Sequence, residues 1–333
     1  MGKKIFTNYI LSDANTPIEF IEGVTNASGK DWSLIEKKLN PRIPKWRKKL
    51  NDFWFTFKFS FKSRHIGHVL AWQQMYGILP AFFNRYIFRR GNLNISIMTF
   101  IYKPKNGVVG KLYHWLVNSA ISSKNVSNIF VYSQSEVQHY ATIFPKAKEK
   151  FHFVKFGLPV SHTDYTDTDL RNENYFFSTG FSNRDYEFLI NVFDNTSLKL
   201  KIACPYLKTT VPQNVEILDN CFGEEMKRQM NNSIAVLIPL KNLNISSGQL
   251  VFITAMQLGK PLVVTDSTPT RTYLEHNVEA IIVPNEINKW REAINKLMTD
   301  NEFYGTMCRH NRQQSVTEFS INRLGTDIGG FLR

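Results

Sequence analysis

Ser246-Ser247-Gly248-Gln249-Leu250-Val251-Phe252-Ile253-Thr254-Ala255-Met256-Gln257-Leu258-Gly259-Lys260-Pro261-Leu262-Val263-Val264-Thr265-Asp266 is the stretch on which the reading of this chain turns. Ser246 or Ser247 can cap a helix and Gly248 lets the backbone approach another group closely. Gly259 can take the left-handed conformation that ends a helix, and Pro261 keeps it from resuming. A strand over Leu262–Thr265 should follow at once. Upstream, Ile234-Ala235-Val236-Leu237-Ile238-Pro239-Leu240 is continuously apolar, as a strand buried on both faces is. The unit is therefore strand, polar loop, helix, strand. In a parallel sheet this puts the Ser-Ser-Gly loop at the carboxyl end of a strand and the amino end of a helix, where unpaired N–H groups and the helix dipole favour an anion. The ligand expected there carries phosphate.

Working outward, 333 residues with 43% hydrophobic content suffice for the cores of two α/β domains. Cys204, Cys221 and Cys308 are odd in number and lack metal-ligand spacing, which argues against a disulfide framework and fits a reducing compartment. The opening residues 1–11 are basic and then apolar, but Asn8 interrupts them and no small-residue cleavage site follows, so they read as a first strand. No run reaches the roughly 18 apolar residues of a membrane span. The expected location is the cytoplasm, peripheral on the inner face of the cell membrane. Charge is distributed unevenly. Residues 1–150 hold 23 Lys and Arg against 8 Asp and Glu, leaving 18 against 20 for the remainder. A basic first half points to a polyanion, either nucleic acid or anionic lipid headgroups.

Residues 37–49 pack seven cations around Trp46, with Pro41 and Pro44 expected to prevent a long regular helix there. The segment 53–62 follows, its phenylalanines alternating as in a strand while Phe53, Trp54, Phe57 and Phe61 also share a helical face; helix is the preferred reading. Aromatic rings beside clustered cations suit an interfacial anchor. An ordinary core face with solvated lysines is the competing reading. Buried strands at 68–72 and 95–101 flank a helix at 77–88, and a helix at 107–122 places Val108, Leu112, Trp115, Leu116 and Ser119 on one face. Strand 129–133, helix 136–143 and strand 151–155 complete a first domain, residues 1–160. Residues 161–174 are polar and acidic and read as a linker. A second α/β rhythm occupies 175–314, and the C-terminal helix at 315–333 is expected to rejoin the first domain.

Several of these pieces together resemble the nucleotide-sugar glycosyltransferases of the two-Rossmann-domain (GT-B) fold, in the group that includes glycosyltransferase family 4. The likeness rests on Val131-Tyr132-Ser133-Gln134-Ser135-Glu136, Phe153-Val154-Lys155-Phe156-Gly157, and Ser178-Thr179-Gly180 followed by Asn183-Arg184-Asp185-Tyr186. Above all it rests on Ile238-Pro239-Leu240 with Ser246-Ser247-Gly248-Gln249, Ala255-Met256 and Gly259-Lys260-Pro261. It covers about 129–298 well and the first hundred residues loosely, where Trp72 to Gly77 and Met98 to Lys103 look like bacterial members that build capsule or exopolysaccharide.

The resemblance implies two Rossmann-like doubly wound domains facing each other across a cleft, the second holding a donor, usually a UDP-sugar, and the first an acceptor. It implies donor contacts at Gly157, Gly180, Arg184, Ser246, Ser247, Gly248, Gln249 and Thr254, with no cofactor and no metal. From the residues alone, Arg184 could instead pair with Asp185, and Gly157 and Gly180 could be plain turn glycines. Members that retain anomeric configuration usually carry two glutamates eight positions apart; Ser246 and Thr254 stand there in this sequence. An inverting route needs a base, for which Asp13, His114 and Glu136 are candidates. The glycine-rich first loop of the family is also absent between Asn8 and Ile18.

The expected function is transfer of a sugar to a lipid-linked or oligosaccharide acceptor in bacterial surface polysaccharide or glycoconjugate synthesis. The missing glutamates keep open a non-catalytic partner that lends binding or membrane placement to another glycosyltransferase. Nucleic-acid binding is the least favoured reading, since no nucleic-acid module is present.

Overall fold

Runs such as Ile10-Leu11, Val69-Leu70-Ala71 and Ile129-Phe130-Val131 are buried residue after residue, which a strand achieves only when both faces of its sheet are covered. The computed structural model, which describes residues 7–37, 43–62, 65–91, 93–160, 173–244 and 246–333, places them in parallel sheets. The chain divides into two units, Met1–Val154 with Asn322–Arg333, and Lys155–Ile321.

In the first unit the order is β1 (Thr7–Ser12), α1 (Ile18–Ser28), β2 (Trp32–Glu36), α2 (Lys45–Phe61), β3 (Ile66–Ala71), α3 (Gln74–Tyr86), β4 (Asn94–Ile97), α4 (Gly107–Ile121), β5 (Val126–Val131), α5 (Gln134–Ile143) and β6 (Phe151–Phe153). The sheet runs β2-β1-β3-β4-β5-β6, every pair parallel. Its strand order reverses between β1 and β3. Residues 1–6 of the expected first strand and residues 38–42 of the cationic run lie outside the described residues.

Residues 53–61 are helical, and the helix extends back to Lys45, directly behind Pro44. Pro44 thus precedes the helix where its missing N–H costs nothing, and does not shorten it as expected. The buried stripe of α2 is largely polar: Asp52, Thr56 and Ser60 are buried with Phe59. Thr56 and Ser60 satisfy themselves by donating to the carbonyls of Asp52 and Thr56, both at 2.7 Å. Its aromatics largely face outward, with Trp46 62%, Trp54 52% and Phe61 63% exposed. On α4 the face of Val108, Leu112 and Trp115 is likewise exposed, while Gly110, Val117, Ala120 and Ile121 are buried.

The second unit contains β7 (Phe176–Thr179), α6 (Tyr186–Phe193), β8 (Leu200–Ala203), β9 (Val215–Ile217), α7 (Gly223–Asn232), β10 (Val236–Ile238), α8 (Gln249–Gln257), β11 (Leu262–Thr265), α9 (Thr268–Tyr273), β12 (Ile281–Val283), α10 (Ile287–Thr299) and α11 (Asn301–Thr317). Its parallel sheet runs β12-β11-β10-β7-β8-β9, the doubly wound order with its switch between β7 and β10. Trp290, fully buried on α10, anchors the core with Phe193, Leu297 and Tyr304. The three cysteines are buried and none is in a disulfide among the described residues.

The first unit was expected to close at 160, but 155–160 belongs with the second. The amide of Leu158 donates to Phe319 (2.9 Å), that of Ile321 to Leu158 (2.7 Å), and that of Phe156 to the Tyr273 hydroxyl (3.0 Å). Of the expected linker, 161–172 lies outside the described residues. The return to the first unit starts at Asn322 rather than 315, because α11 packs Tyr304, Met307 and Cys308 into the second core. There α12 (Ile321–Gly330) lies against α1 at glycines: a Cβ on Gly23 would meet the Asn322 carbonyl oxygen at 2.4 Å, and one on Gly325 the Phe20 oxygen at 2.4 Å. No helix among the described residues is long and apolar enough to cross a membrane.

Just past α8, Gly259 takes φ 65° and its amide donates to Met256 at 2.9 Å, ending the helix as its sequence anticipates. Lys260 follows, 1% exposed, and burial lowers its ammonium from an ordinary 10.5 to about 8. A folded-state value below the unfolded one means the buried charge costs most below pH 8, and the cost fades as pH approaches 10.5. Lys260→Met should therefore raise stability at pH 7 by up to about 3 kcal/mol. Urea melts should show that gain shrinking between pH 8 and 10.5; a gain flat with pH would assign it to packing instead.

Candidate functional site

The carboxyl ends of β7 and β10, where the second sheet reverses order, form the crevice in which doubly wound folds bind ligands. β7 ends at Thr179 and runs into Gly180, whose φ of 118° is open to glycine and strained for other residues. The turn brings Arg184 back over the strand end. Arg184 Nε donates to the Thr179 carbonyl at 3.1 Å and Nη1 to that of Ser182 at 3.0 Å. Nη2 lies 2.8 Å from where a Gly180 Cβ would stand and 3.8 Å from where a Gly248 Cβ would stand. The guanidinium thus sits between two glycines, at the start of α8.

Among the described residues Arg184 has no acidic partner. Asp185, the alternative considered from sequence, instead caps α6, its carboxylate accepting from the Phe188 amide at 3.2 Å. Burial pushes the Arg184 pKa below its ordinary value while Tyr186 and Cys204 pull it the other way; an arginine so shifted remains a cation. A desolvated cation with no counter-ion is costly unless an anion arrives to pair with it.

The loop after β10 is held by side chains that sequence reasoning passed over. Asn183, at φ 56°, accepts from the Asn242 amide (2.7 Å) and donates to the Asn242 carbonyl and to Ser247 Oγ, both at 2.9 Å. The Leu240 amide donates to Thr265 Oγ1 (2.7 Å), which donates to Asn285 Oδ1 (2.7 Å), while Asn285 Nδ2 returns to the Leu240 carbonyl (2.9 Å). Asn183 begins the Asn183-Arg184-Asp185-Tyr186 motif, and asparagine's tolerance of the left-handed region was the available signal. Thr265 and Asn285 carried none.

Neither Ser246 nor Ser247 caps α8, contrary to expectation. Gly248, at φ 100°, is the residue before the helix and has no side chain to cap it. Ser246 Oγ instead accepts from Gln249 Nε2 and Ser247 Oγ from Asn183 Nδ2. Gly180, Arg184, Ser247 and Gly248 are therefore brought together, with Ser246 and Gln249 joined beside them. Thr254 is not among them: it is buried within α8 and its hydroxyl donates to the Leu250 carbonyl at 2.7 Å. Gly157 is buried in the segment 155–160 and has no positive φ, so it is not a left-handed turn glycine.

The first unit has its own cluster at the carboxyl ends of β1 and β3. Asp13 follows β1 and lies 3.6 Å from Lys48 Nζ on α2. Asp52, buried on the same helix, accepts from the Tyr76 hydroxyl at 3.1 Å. Burial raises the Asp52 pKa, the Tyr76 hydrogen bond and the charges of Lys37 and Lys48 lower it, and Asp13 raises it further. A buried carboxyl beside a second acid has the character of a proton acceptor or donor. Sequence reasoning missed it because Asp52 stands among aromatics and lysines; the polar spacing 52, 56, 60 was the signal.

The other two base candidates have structural partners. His114 shares a 3.1 Å hydrogen bond with the Tyr102 hydroxyl and stacks on Phe144 at 5.2 Å. Glu136 accepts from the Tyr132 amide at 3.1 Å, and its own amide donates to Ser133 Oγ at 3.1 Å, closing the start of α5. Burial raises its pKa, and hydrogen bonding of the carboxylate to the Tyr132 amide and to the Ser133 hydroxyl and amide lowers it.

Residues 182–300 match a family model described as glycosyl transferases group 1. Among solved structures, the chain is similar to Anabaena HepE in complex with UDP-glucose, at 15% identity over 96% of this chain and 98% of that one, TM-score 0.63. It is similar to sucrose-phosphate synthase from Thermosynechococcus elongatus, at 11% identity over 97% of each chain, TM-score 0.65. It is similar also to WaaG, a glycosyltransferase involved in lipopolysaccharide biosynthesis, at 11% identity over 96% of this chain and 99% of that one, TM-score 0.55. A comparison with curated protein sequences finds no match.

Proposed function

We propose that this chain, which has the GT-B fold and over residues 182–300 a group 1 glycosyl transferase domain, moves a sugar from a nucleoside diphosphate sugar to a lipid-linked or glycan acceptor. The observation that carries the proposal is Arg184, a half-buried cation with no acidic partner among the described residues, set between Gly180 and Gly248 at the start of α8. Breaking the bond to the sugar leaves negative charge on the diphosphate. A fixed guanidinium and the α8 amides favour that charge more in the transition state than in the ground state. In this reading they supply the positive charge and no metal or cofactor is required. UDP is the favoured nucleotide, supported by the UDP-glucose in HepE.

The acceptor is assigned to the first unit, where Asp52 and Asp13 are the residues placed to handle a proton. The outward aromatics of α2 and α4, beside Arg47, Lys48, Lys49 and Lys111, support an anionic membrane surface as a partner and the inner face of the cell membrane as the location. The subject of WaaG supports a role in bacterial surface glycoconjugates, where association with other glycosyltransferases would be natural. Exposed apolar rings suit lipid better than a nucleic-acid groove.

A second reading, a non-catalytic partner with the same fold, draws on Ser246 and Thr254 in the places of the family's glutamates, one tied to Gln249 and the other buried. The test is a thermal-shift panel of nucleoside diphosphates, followed by mass spectrometry of UDP-sugars incubated with phosphate-linked lipid acceptors. UDP should raise the melting temperature and a glycosylated acceptor should form, in chelator as in buffer. Binding with neither transfer nor donor hydrolysis would select the second reading. No shift with any diphosphate would sink the first reading, and donor hydrolysis lost in Arg184→Ala would sink the second.

A further inference from the structure

α2 packs against α3, and its Phe59 meets Tyr9 of β1 edge-on with ring centroids 6.0 Å apart. Beneath α2 lies a cavity of about 640 Å³ bounded by Tyr9 of β1, Ile35 of β2, Ile66 of β3 and the rings of Phe55, Phe57 and Phe59. That volume is within the range of about 300–1,000 Å³ typical of small-molecule sites. The lining is mainly apolar and contains no carboxylate. Trp54 and Phe61, both more than half exposed, carry the apolar surface outward to the mouth, which also holds Lys58, Lys62 and His65. Neither lysine has an acidic partner among the described residues. The dipole at the end of α2 accounts for cations in its last turn, but His65 lies beyond the helix on the same rim.

We propose that this cavity holds the hydrocarbon chain of a single-chain amphiphile whose phosphate head meets Lys58, Lys62 and His65. An apolar interior rejects a free anion, and a cationic mouth without acids favours a phosphate over a neutral head. The lining reaches Ile35, in register with Leu11 of β1, but the cationic rim stands with Thr7 and Ile66 at the amino ends of β1 and β3, away from Asp13, which follows the carboxyl end of β1. The bound chain is therefore an anchoring lipid, separate from the acceptor that the Asp13 and Asp52 end would serve. This inference deepens the membrane-facing reading of the first unit and rests on it, since a lipid surface is where such a chain is met.

The experiment titrates the full chain with monomeric dodecyl phosphate, following tryptophan fluorescence and calorimetry. Saturable one-to-one binding is expected, with dodecyl maltoside at least tenfold weaker and inorganic phosphate silent over the same range. Ile35→Phe, which fills the cavity, should weaken binding at least tenfold. The surface pair Lys58→Glu with Lys62→Glu should weaken dodecyl phosphate about tenfold and leave dodecanol unchanged. Absence of saturable binding, or binding that survives both changes, overturns the proposal. So does a concentration-dependent dimer that Ile35→Phe abolishes, which would assign the cavity to a second copy of the chain. Sedimentation with anionic phosphatidylglycerol vesicles separates the two readings. Vesicle binding without dodecyl phosphate binding removes the cavity and keeps the membrane surface; the reverse keeps the cavity and removes the membrane surface.

Discussion

Arg184→Ala should lower kcat/KM for sugar transfer by about 10²–10³, the usual loss on removing one preorganised donor from a developing oxyanion. UDP affinity should fall less, by about tenfold, the lower end of the roughly 1.5–3 kcal/mol that a hydrogen bond to a charged group is worth in the ground state. The split between these two numbers is the signature of a residue that acts on the leaving group. Arg184→Lys should recover only part of the loss, since it keeps the charge but not the fork that also holds the carbonyls of Thr179 and Ser182. Gly180→Val should reproduce the defect with the arginine still present. Its side chain would fall 2.8 Å from Nη2, and φ 118° is strained for a β-branched residue. The folded state should tolerate Arg184→Ala, because an uncompensated, partly buried cation is removed with it. Unchanged kinetics in a folded variant would remove the diphosphate from this site.

The largest effect on stability is expected at the contact of α1 with α12. A Gly325→Val side chain would start 2.4 Å from the Phe20 carbonyl oxygen and 3.2 Å from the Val24 nitrogen, both backbone atoms that cannot rotate away. The helices must separate, partly exposing Leu324, Ile328 and Leu332, now 1%, 0% and 2% exposed. Overpacking of this kind costs about 1–3 kcal/mol, and more once burial is lost. The hydrogen bonds of Asn322 Nδ2 to Glu19 (3.0 Å) and Arg333 Nε to Ala27 (3.1 Å) should open with it. Gly330→Ala, with nothing within 4 Å, is the control and should be neutral. Urea melts of the two variants, with proteolysis reporting release of residues 322–333, distinguish the outcomes; equal stability would show that the contact contributes nothing.

Where the sequence alternated sharply between apolar and punctuating residues, the fold could be read from it. Leu262–Thr265 is the strand expected, bounded by Gly259 and Pro261 on one side and Asp266 on the other. β2 escaped notice because it is an edge strand whose residues are only partly buried, and α11 because its sequence Asn301–Thr317 is polar almost throughout and its buried stripe is thin. At the site, Gly180, Arg184 and Gly248 were legible because glycine and arginine bear their roles locally. Thr265 and Asn285 were not, because each acts on Leu240 through the tertiary fold, from 25 and 45 residues away. The cap was misassigned for a similar reason: two serines suggest a side-chain cap, but the glycine that follows turns the backbone without one.

The return of α12 to α1 also has a meaning for synthesis. Phe20 and Val24 are fully buried in the finished unit, and the α1 surface that receives α12 is complete only when residues 322–333 arrive. On a ribosome adding about 5–20 residues each second, 155–321 must first be made, a delay on the order of ten seconds. The half of the chain that emerges first thus closes only after residues 155–321 have been made. Until then the nascent chain presents an apolar, glycine-notched helix face, and that interval is when a holding chaperone would find its grip.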